Sequence, residues 1–274
     1  MEDFSKYNAE GTPLRKAQLC MLGILVEIDK ICRRHNIPYW LDSGTLLGAV
    51  RHGGFIPWDD DMDICVLKAD YPRLRKFLLE ELPEQYRLSD TQNEPYAFGL
   101  TPRVKDTHTY CNYPLFRKQN SQGLWVDILL QVPAVPSWYK QRVEKLYARV
   151  FRETHHYAES QGKARWVCAL KTGLAYLACP LVYALTGLGD LWAKKHYHGE
   201  LMHTWDLYHT SRRYECDIFP LAEMCFEGKM FYVPHDVDAY LRHIYGDYMQ
   251  IPDESYRVTH MDVNTLRFSN TCLS

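Results

Sequence analysis

Apolar side chains recur at helical spacing from Pro13 to about His35, and this pattern predicts an amphipathic first helix. Asn36-Ile37-Pro38 ends the helix, and Tyr39-Trp40-Leu41 is typical of a short strand. The strand leads into a predicted turn at Asp42-Ser43-Gly44-Thr45, and Leu46 to Val50 is then predicted to be helical. The first fifty residues are therefore divided by clear breaks in the apolar pattern.

The apolar pattern changes to strict alternation from Asp61 to Leu67, which predicts a half-buried strand with Asp61 and Asp63 on one face. The composition beyond it predicts a further helix over Tyr71 to Leu82 and two further strands over Phe98 to Lys105 and Leu124 to Val132. The strand Tyr39-Trp40-Leu41, the turn, the helix Leu46 to Val50, the loop and the strand Asp61 to Leu67 are predicted to form one compact α/β unit.

Four aspartates lie within five positions at the start of the alternating segment, namely Asp59, Asp60, Asp61 and Asp63. Carboxylates this close repel one another unless a cation lies among them. The shared face of Asp61 and Asp63, beside the Gly44-Thr45 turn, favours a Mg²⁺ site for phosphoryl transfer, with Asp59 and Asp60 in the loop or outside the metal shell. The alternatives are a solvated acidic turn and an adventitious Ca²⁺ site, although the EF-hand pattern does not fit.

Asp127 interrupts the apolar run from Leu124 to Leu130, where an unpaired charge would be costly to bury. If its strand lies beside that of Asp61 and Asp63, Asp127 becomes a third carboxylate that ligates a metal or takes a proton from an attacking hydroxyl. The alternative is a structural aspartate that caps a neighbouring loop.

Four basic residues are candidates for contact with phosphate. Arg51 and His52 follow the predicted short helix, although Arg51 would equally serve to pair with a neighbouring aspartate. Arg103 and Lys105 share one strand face, which would suit stabilisation of a transferring phosphoryl group. If their strand lies at the sheet edge, the two cations are instead simply solvated.

Bulk composition narrows the class of protein. The 274 residues carry a formal charge of −2 with a pI near 6.6, so no overall field would hold nucleic acid. The nine cysteines include no C-x-x-C pair, and the N-terminus shows no signal peptide, which favours free thiols and a cytoplasmic location. Six central histidines match no zinc spacing and are expected on the surface or in the core: His155, His156, His196, His198, His203 and His209.

Residues Leu41 to Ile64 resemble the signature of the LicD family, which includes the fukutin-type proteins. The resemblance rests on Gly-Thr-Leu-Leu-Gly-Ala-Val-Arg-His followed by Gly-Phe-Ile-Pro-Trp-Asp-Asp-Asp-Met-Asp-Ile. Further blocks are similar as well, at residues 32–39, 103–106, 226–234 and 245–260. The stretch from about Pro136 to Tyr208 carries no motif that matches.

The resemblance implies a nucleotidyltransferase-like α/β (α+β) fold, with a mixed sheet flanked by helices, and transfer of a phospho-alcohol from a CDP-activated donor to a sugar hydroxyl. The expected donor is CDP-choline, and the expected acceptor is a lipid-linked or surface glycan of teichoic acid, lipopolysaccharide or capsule. Asp61, Asp63 and Asp127 would hold Mg²⁺ or Mn²⁺ and carry catalysis. Gly44 and Thr45 would approach the diphosphate, and Arg257 and His260 would close over the site.

Three segments are expected: a catalytic core over residues 1–135, a helical insertion over 136–210 and a C-terminal helical segment over 211–274 that completes the catalytic domain. Within the insertion, residues 172–189 are uncharged over eighteen positions but contain four glycines or prolines. A buried or interfacial helical pair is expected there rather than a membrane span. Lysines and arginines on either side would suit peripheral membrane contact through residues 163–195.

Three functions are compatible with these residues. The first is a Mg²⁺-dependent phosphocholine transferase that releases CMP, with another CDP-linked phospho-alditol as the alternative donor. The second is a D-x-D glycosyltransferase, which would release a nucleoside diphosphate from a sugar nucleotide. The third is a non-catalytic protein that binds glycan or nucleotide. Trp58 and Trp125 are the aromatic residues nearest the carboxylates in sequence and would suit choline, but core packing is the expectation for both.

Overall fold

The computed structural model describes residues 4–94, 101–112, 122–156, 164–205 and 211–269. Within these residues the α-helices are α1 Ser5–Asn8, α2 Pro13–Arg34, α3 Ser43–His52, α4 Tyr71–Glu81, α5 Ser137–His156, α6 Ala164–Lys195, α7 Glu215–Ile218 and α8 Val237–Tyr245. The strands are β1 Tyr39–Leu41, β2 Asp63–Leu67, β3 Tyr86–Ser89, β4 Arg103–Asp106, β5 Thr109–Tyr110, β6 Trp125–Pro133, β7 Glu200–His203, β8 Arg213–Tyr214, β9 Ala222–Phe226, β10 Lys229–Val233 and β11 Arg267–Phe268. Short 3₁₀ turns cover Glu254–Tyr256 and Val263–Thr265.

The main sheet is mixed, with the strand order β1-β2-β6-β4-β3. Strand β2 runs parallel to β6, and the other pairs are antiparallel. Along its other edge, β6 pairs with β4 near its start and with β7 near its end, and β7 continues to β8. The predicted mixed α/β sheet flanked by helices is therefore confirmed.

Three details differ from the sequence-based expectation. Helix α3 begins at Ser43 rather than Leu46, so the predicted Gly44-Thr45 turn is the first helical turn, because Asp42 is extended and acts as the residue before the helix. Strand β2 begins at Asp63 rather than Asp61, because the Asp63 N–H donates to Thr45 Oγ1 at 2.9 Å. Strand β4 covers Arg103–Asp106, with residues 98–100 outside the described ones, and it lies between β6 and β3 rather than at an edge.

The main core joins the two ends of the chain. The inner face of α2 packs with β1 and β2, and Trp40 is completely buried there. Phe226, Phe231, Tyr240 and Met261, from the C-terminal part of the chain, belong to the same core. The C-terminal segment is thus packed against the strands that carry the aspartates.

Helices α5 and α6 form a hairpin that leaves the sheet after β6 and returns at β7. Its base is a small core of its own, to which Val132, Val135, Ala193, Met202 and Trp205 contribute. Helix α6 is one continuous helix of 32 residues with Pro180 inside it. Among the described residues, α6 is the one helix long and apolar enough to cross a membrane by length and composition.

Candidate active site

The candidate site lies where the first residues of β2, β6 and β4 are neighbours in the main sheet. Asp63 on β2 is in register with Asp127 on the parallel strand β6, and Asp127 is in register with Arg103 on β4. The strand of Asp127 therefore does lie beside the strand of Asp63, as the prediction for Asp127 required. Asp63, Asp127 and Arg103 form a row across three strands.

The aspartates that precede β2 complete an acidic cluster, which we define as Asp59, Asp61, Asp63 and Asp127. Burial and the charges of Asp127 and Asp60 raise the pKa of Asp61 to about 6. Burial and the Asp61 charge also raise the pKa values of Asp59 and Asp63 well above their usual range. These carboxylates are mutually destabilising when ionised, which is the electrostatic setting in which a cation binds favourably.

Gly44 sets the distance between this cluster and the start of α3. A Cβ on Gly44 would stand 2.6 Å from Asp59 Oδ2, so a larger residue cannot fit without moving the carboxylate. The first turn of a helix has backbone N–H groups without intrahelical acceptors, and these groups favour anions such as phosphate. Thr45 accepts the Asp63 N–H at its hydroxyl oxygen, which ties α3 to β2, and its own hydroxyl proton is still available for donation.

Asp127 is held by donors on two sides. Arg103 Nε donates to Asp127 Oδ1, and Trp125 Nε1 donates to Asp127 Oδ2 at 2.8 Å. The Arg103 guanidinium also lies over the Trp125 ring, 4.9 Å from its centre. Each carboxylate oxygen keeps a second lone pair, so Asp127 is fixed in orientation and still able to accept a proton or bind a cation.

The other predicted cations differ in their surroundings. Lys105 is fully buried, and burial lowers its pKa to about 8, with Glu94 and Asp127 acting in the opposite direction. It is therefore not the solvated cation that an edge strand would carry. Arg51 Nη1 donates to the backbone carbonyls of Tyr248 and Gln250, at 3.1 Å each.

His52 packs away from the cluster. Its ring lies edge-on to Phe4 and Trp58, with centres 5.7 and 6.3 Å away, and burial together with the Arg51 charge lowers its pKa. Trp58 and Trp125 are both buried, as expected for core residues. Among the predicted phosphate-binding groups, Arg103 contacts Asp127, Thr45 contacts Asp63, and Gly44 lies against Asp59. Lys105 is within range of the charge of Asp127, and Arg51 is within range of the charge of Asp59.

The C-terminal loop reaches the rim of the site. His260 Nδ1 lies 3.6 Å from Asp60 Oδ1, and its charge when protonated acts to lower the pKa of Asp61. The Arg257 guanidinium stacks over Phe4 and Trp58, and its Nε donates to the Pro252 carbonyl. His260 is thus brought to the acidic residues, whereas Arg257 is held on the aromatic residues behind them.

Tyr245 is a site residue to which the sequence assigned no role. Burial of the phenol and the charges of Asp42, Asp63 and Asp59 raise its pKa, so the phenol is within electrostatic range of the acidic cluster. The residue as a whole is 44% exposed, although its phenol end is buried. The signal available in the sequence was its place in the Tyr-Gly-Asp-Tyr-Met block, which gives no position relative to the aspartates.

A second group of ionisable residues, the buried ion cluster, lies directly beside the acidic cluster. We define it as Asp42, Cys65, His203, Arg213 and Tyr240. Asp42 accepts from Arg213 Nη2 at 3.2 Å, from Tyr240 at 2.7 Å and from Cys65 Sγ at 3.1 Å, and it lies 3.3 Å from His203 Nε2. Burial alone would raise the pKa of Asp42, but the Arg213 charge and the His203 and Tyr240 hydrogen bonds hold it well below its usual range.

The buried ion cluster also contains three groups that bind metals in other proteins. The ligand atoms of Asp42, Cys65 and His203 lie within 4.8 Å of one another. Arg213 already supplies the positive charge at Asp42, and Gln131 Nε2 contacts both Cys65 and His203. We therefore interpret this group as an internally neutralised cluster. His155, His156 and His209 lie outside the residues whose side chains are described.

Comparisons with known proteins identify the kind of domain that carries these residues. Residues 36–155 match the family model described as LicD/FKTN/FKRP, nucleotidyltransferase domain. The lipopolysaccharide cholinephosphotransferase LicD of Haemophilus influenzae is 27% identical over 272 residues, which cover 90% of this chain and 95% of that protein. Ribitol 5-phosphate transferase FKRP of Mus musculus is 53% identical over 70 residues, which cover 23% of this chain and 13% of that protein.

The sheet and its row of acidic and basic residues, together with these similarities, define a phosphotransferase with a nucleotidyltransferase domain. Residues 36–155 therefore resemble a LicD-type nucleotidyltransferase domain, and the similarity to a LicD protein extends over most of the chain. The matched domain contains the acidic cluster, Gly44, Thr45, Arg103 and Lys105, whereas Arg257, His260 and Tyr245 come from beyond it.

Proposed function

We propose that this protein transfers a phospho-alcohol from a CDP-activated donor to a hydroxyl of a cell-surface glycan and releases CMP, with Mg²⁺ as the cofactor. The observation that carries the proposal is the acidic cluster beside the start of α3. Burial and mutual repulsion raise the pKa values of three of its aspartates, Asp59, Asp61 and Asp63. Such a cluster is suited to a divalent cation and, through it, to a diphosphate.

The donor set fits Mg²⁺ or Mn²⁺. Asp61, Asp63 and Asp127 offer carboxylate oxygens, the ligands that hard divalent cations prefer. Among the described residues, the three ligand atoms within 4.8 Å of one another are those of the buried ion cluster, so the oxygens of the acidic cluster are more widely spaced. Such a spacing suits a cation that keeps water and substrate phosphates as ligands. When bound, the cation would neutralise the diphosphate and make CMP a better leaving group.

The protein's own groups supply the remaining steps. The first turn of α3 and the Thr45 hydroxyl would contact the diphosphate, since Gly44 leaves no side chain in the way. Arg103 and Lys105 would stabilise the negative charge of the transferring phosphoryl group. Asp127, oriented by Arg103 and Trp125, would accept the proton of the attacking sugar hydroxyl.

Phosphocholine is the proposed group for transfer, because the relative that spans nearly the whole chain is named a cholinephosphotransferase. Tyr245, which is partly exposed and within electrostatic range of the acidic cluster, would offer an aromatic face to a quaternary ammonium. Another phospho-alditol is the alternative, since the similarity over 70 residues is to a ribitol 5-phosphate transferase. The proposed acceptor is a lipopolysaccharide, teichoic acid or capsule glycan, modified at the cytoplasmic side of the membrane.

The nucleotide product tests the proposed function. Purified protein is incubated with Mg²⁺ and glycan acceptor and, in separate reactions, with CDP-choline, CDP-ribitol, CDP-glycerol or a UDP-sugar, and the products are separated by ion-exchange chromatography. We expect CMP from CDP-choline, loss of that product in Asp61→Asn and Asp63→Asn, and full activity in Glu80→Gln, an exposed carboxylate on α4. Release of UDP from the UDP-sugar would identify a glycosyltransferase instead. CMP release that survives both aspartate substitutions would refute the site.

A further inference from the structure

The outer face of α6 carries an unusually long row of large apolar side chains. These residues are 45–77% exposed, and they follow one another at spacings of three, four or seven, so that they share one side of the helix. We call them the outer stripe: Trp166, Leu170, Leu174, Leu177, Leu181, Leu188 and Trp192. At 1.5 Å per residue the stripe is about 39 Å long.

The distribution of side-chain size across α6 is the reverse of that in a helix that supports a protein core. Its inward face, which packs with Val150 of α5, consists of the small or branched residues Ala175, Cys179 and Val182. The leucines and tryptophans of the outer stripe point outward instead. A contiguous exposed apolar surface of this size marks a binding site in a folded protein.

The charge of the hairpin identifies the surface that it fits. Residues 137–195 contain ten Lys and Arg against four Asp and Glu, a net charge of +6, whereas the whole chain carries −2. Lys171 lies within the length of the stripe, and Lys194 and Lys195 follow its end. A cationic, apolar helix that has tryptophan near both ends of its stripe is typical of segments that lie on an anionic bilayer.

The contacts of the hairpin favour a helix that lies on the bilayer over one that spans it. Near its C-terminal end, Asp190 pairs with Lys68 at 2.6 Å and accepts from Trp205 Nε1 at 3.2 Å, which fixes α6 to the catalytic domain. One side of α6 is covered by α5. An apolar cavity of about 630 Å³ continues the stripe at its base, lined in part by Trp138, Leu188 and Trp192.

We propose that the outer stripe is a docking surface for anionic phospholipid bilayers, with α6 lying parallel to the membrane plane. The base of the hairpin follows the end of β6 at Pro133, six residues after Asp127. At the rise per residue of a β-strand, Asp127 and the base of the hairpin are about 20 Å apart. The proposal concerns membrane binding alone and does not depend on which group the active site transfers.

Flotation with lipid vesicles tests the proposal on the full chain. We expect the wild type to float with vesicles of phosphatidylcholine and phosphatidylglycerol and to bind pure phosphatidylcholine at least tenfold more weakly. The double variant Leu174→Glu/Leu177→Glu should lose at least tenfold in binding to the anionic vesicles. Leu79→Glu, an exposed leucine of α4, is the matched control and should bind like the wild type. Circular dichroism and thermal unfolding establish that the variants are folded.

Four outcomes would overturn the proposal. In the first, the wild type stays in the unbound fraction with anionic vesicles. In the second, the double variant and the Leu79→Glu control bind equally. In the third, light scattering shows a dimer in the wild type that Leu177→Glu dissociates, because the stripe would then be an interface between two copies of the chain. Release of bound protein by alkaline carbonate is expected for a helix that lies on the membrane, and retention, the fourth outcome, would instead show a spanning helix.

Discussion

Two adjacent clusters of ionisable groups share one face of the sheet, and they differ in how their charge is balanced. In the buried ion cluster, Asp42 meets Arg213 and three further polar groups, and its pKa lies well below the usual range. In the acidic cluster, the pKa of Asp61 is raised to about 6, and burial and neighbouring charges, that of Asp42 included, raise the pKa of Asp63 as well. The same residue type therefore occurs in two opposite electrostatic states.

This difference separates structural from functional carboxylates. A fully buried charge with its partners in place serves the fold, because removing either partner leaves an uncompensated charge in a medium of low dielectric constant. A cluster of carboxylates that repel one another destabilises the fold, and on the proposed function it is retained for a cation that would bind there. Asp42 fits the first class, and we propose that Asp61 and Asp63 belong to the second.

Neutralising the acidic cluster should have the largest effect on activity. We expect Asp61→Asn and Asp63→Asn each to reduce kcat by at least about a thousandfold, because the cation loses a carboxylate ligand. Both variants should unfold at the same temperature as the metal-free wild type or above it, since one repulsive charge has been removed. Steady-state kinetics and calorimetry measure the two effects, and a large loss of stability in either variant would contradict the assignment.

Breaking the buried ion cluster should instead lower the stability of the protein. Arg213→Met is expected to lower the free energy of unfolding by about 3–5 kcal/mol, because Asp42 is left buried and charged. Adding Asp42→Leu should restore a large part of that loss, since both charges are then absent. Urea unfolding of the two variants measures this, and equal instability in the single and double variants would show that charge is not the cause.

The next largest effect is expected in the pH dependence of stability, which should differ between the two clusters. Because the folded pKa of Asp61 is about 6, above its usual 3.8, the folded state binds more protons than the unfolded state between these values. The contribution of Asp61 to stability is therefore present at low pH and lost as the pH rises through about 6. We expect the stability difference between Asp61→Asn and the metal-free wild type to widen from pH 4 to pH 7. Calorimetry at a series of pH values follows it, and a constant difference would contradict the raised pKa.

The smallest effect on activity is expected when Arg103 is replaced by another basic residue. Arg103→Lys keeps the charge beside Asp127 but loses the planar guanidinium that donates to the carboxylate and stacks on Trp125. We expect kcat to fall about tenfold with little change in KM for the donor, because the orientation of Asp127 is loosened. Arg87→Lys, which changes an exposed arginine of β3, serves as the matched control and should leave both constants unchanged. A rise in KM with kcat unchanged would argue that Arg103 acts in donor binding instead.

Local patterns in the sequence predicted those parts of the site that lie within single elements. The alternation before Leu67 placed Asp61 and Asp63 on a strand, and the apolar run placed Asp127 on another. Asp63 and Asp127 do lie on the neighbouring strands β2 and β6, whereas Asp61 precedes β2. The start of α3 was missed, because the extended Asp42 and the close approach of Asp59 to Gly44 depend on tertiary contacts. Asp59 was for the same reason left out of the acidic cluster.

Contacts between segments that are far apart in the sequence could not be predicted from its periodicity. Arg213 meets Asp42 from 171 positions away, and Tyr245 reaches the acidic cluster from the end of α8. The position of β4 inside the sheet buries Lys105, although the same Arg-Val-Lys-Asp stretch at an edge would be solvated. Strand order is set by the whole fold, and a single strand carries no signal for it.

Titration with Mn²⁺ tests most directly the claim that the acidic cluster is the cation site. Binding is followed by calorimetry at neutral pH in the presence of CDP-choline, for the wild type, Asp61→Asn and Cys65→Ala. We predict that Asp61→Asn abolishes binding and that Cys65→Ala, in the buried ion cluster, binds as the wild type does. Binding that survives Asp61→Asn and is lost in Cys65→Ala would place the cation at Asp42, Cys65 and His203 and would contradict the account.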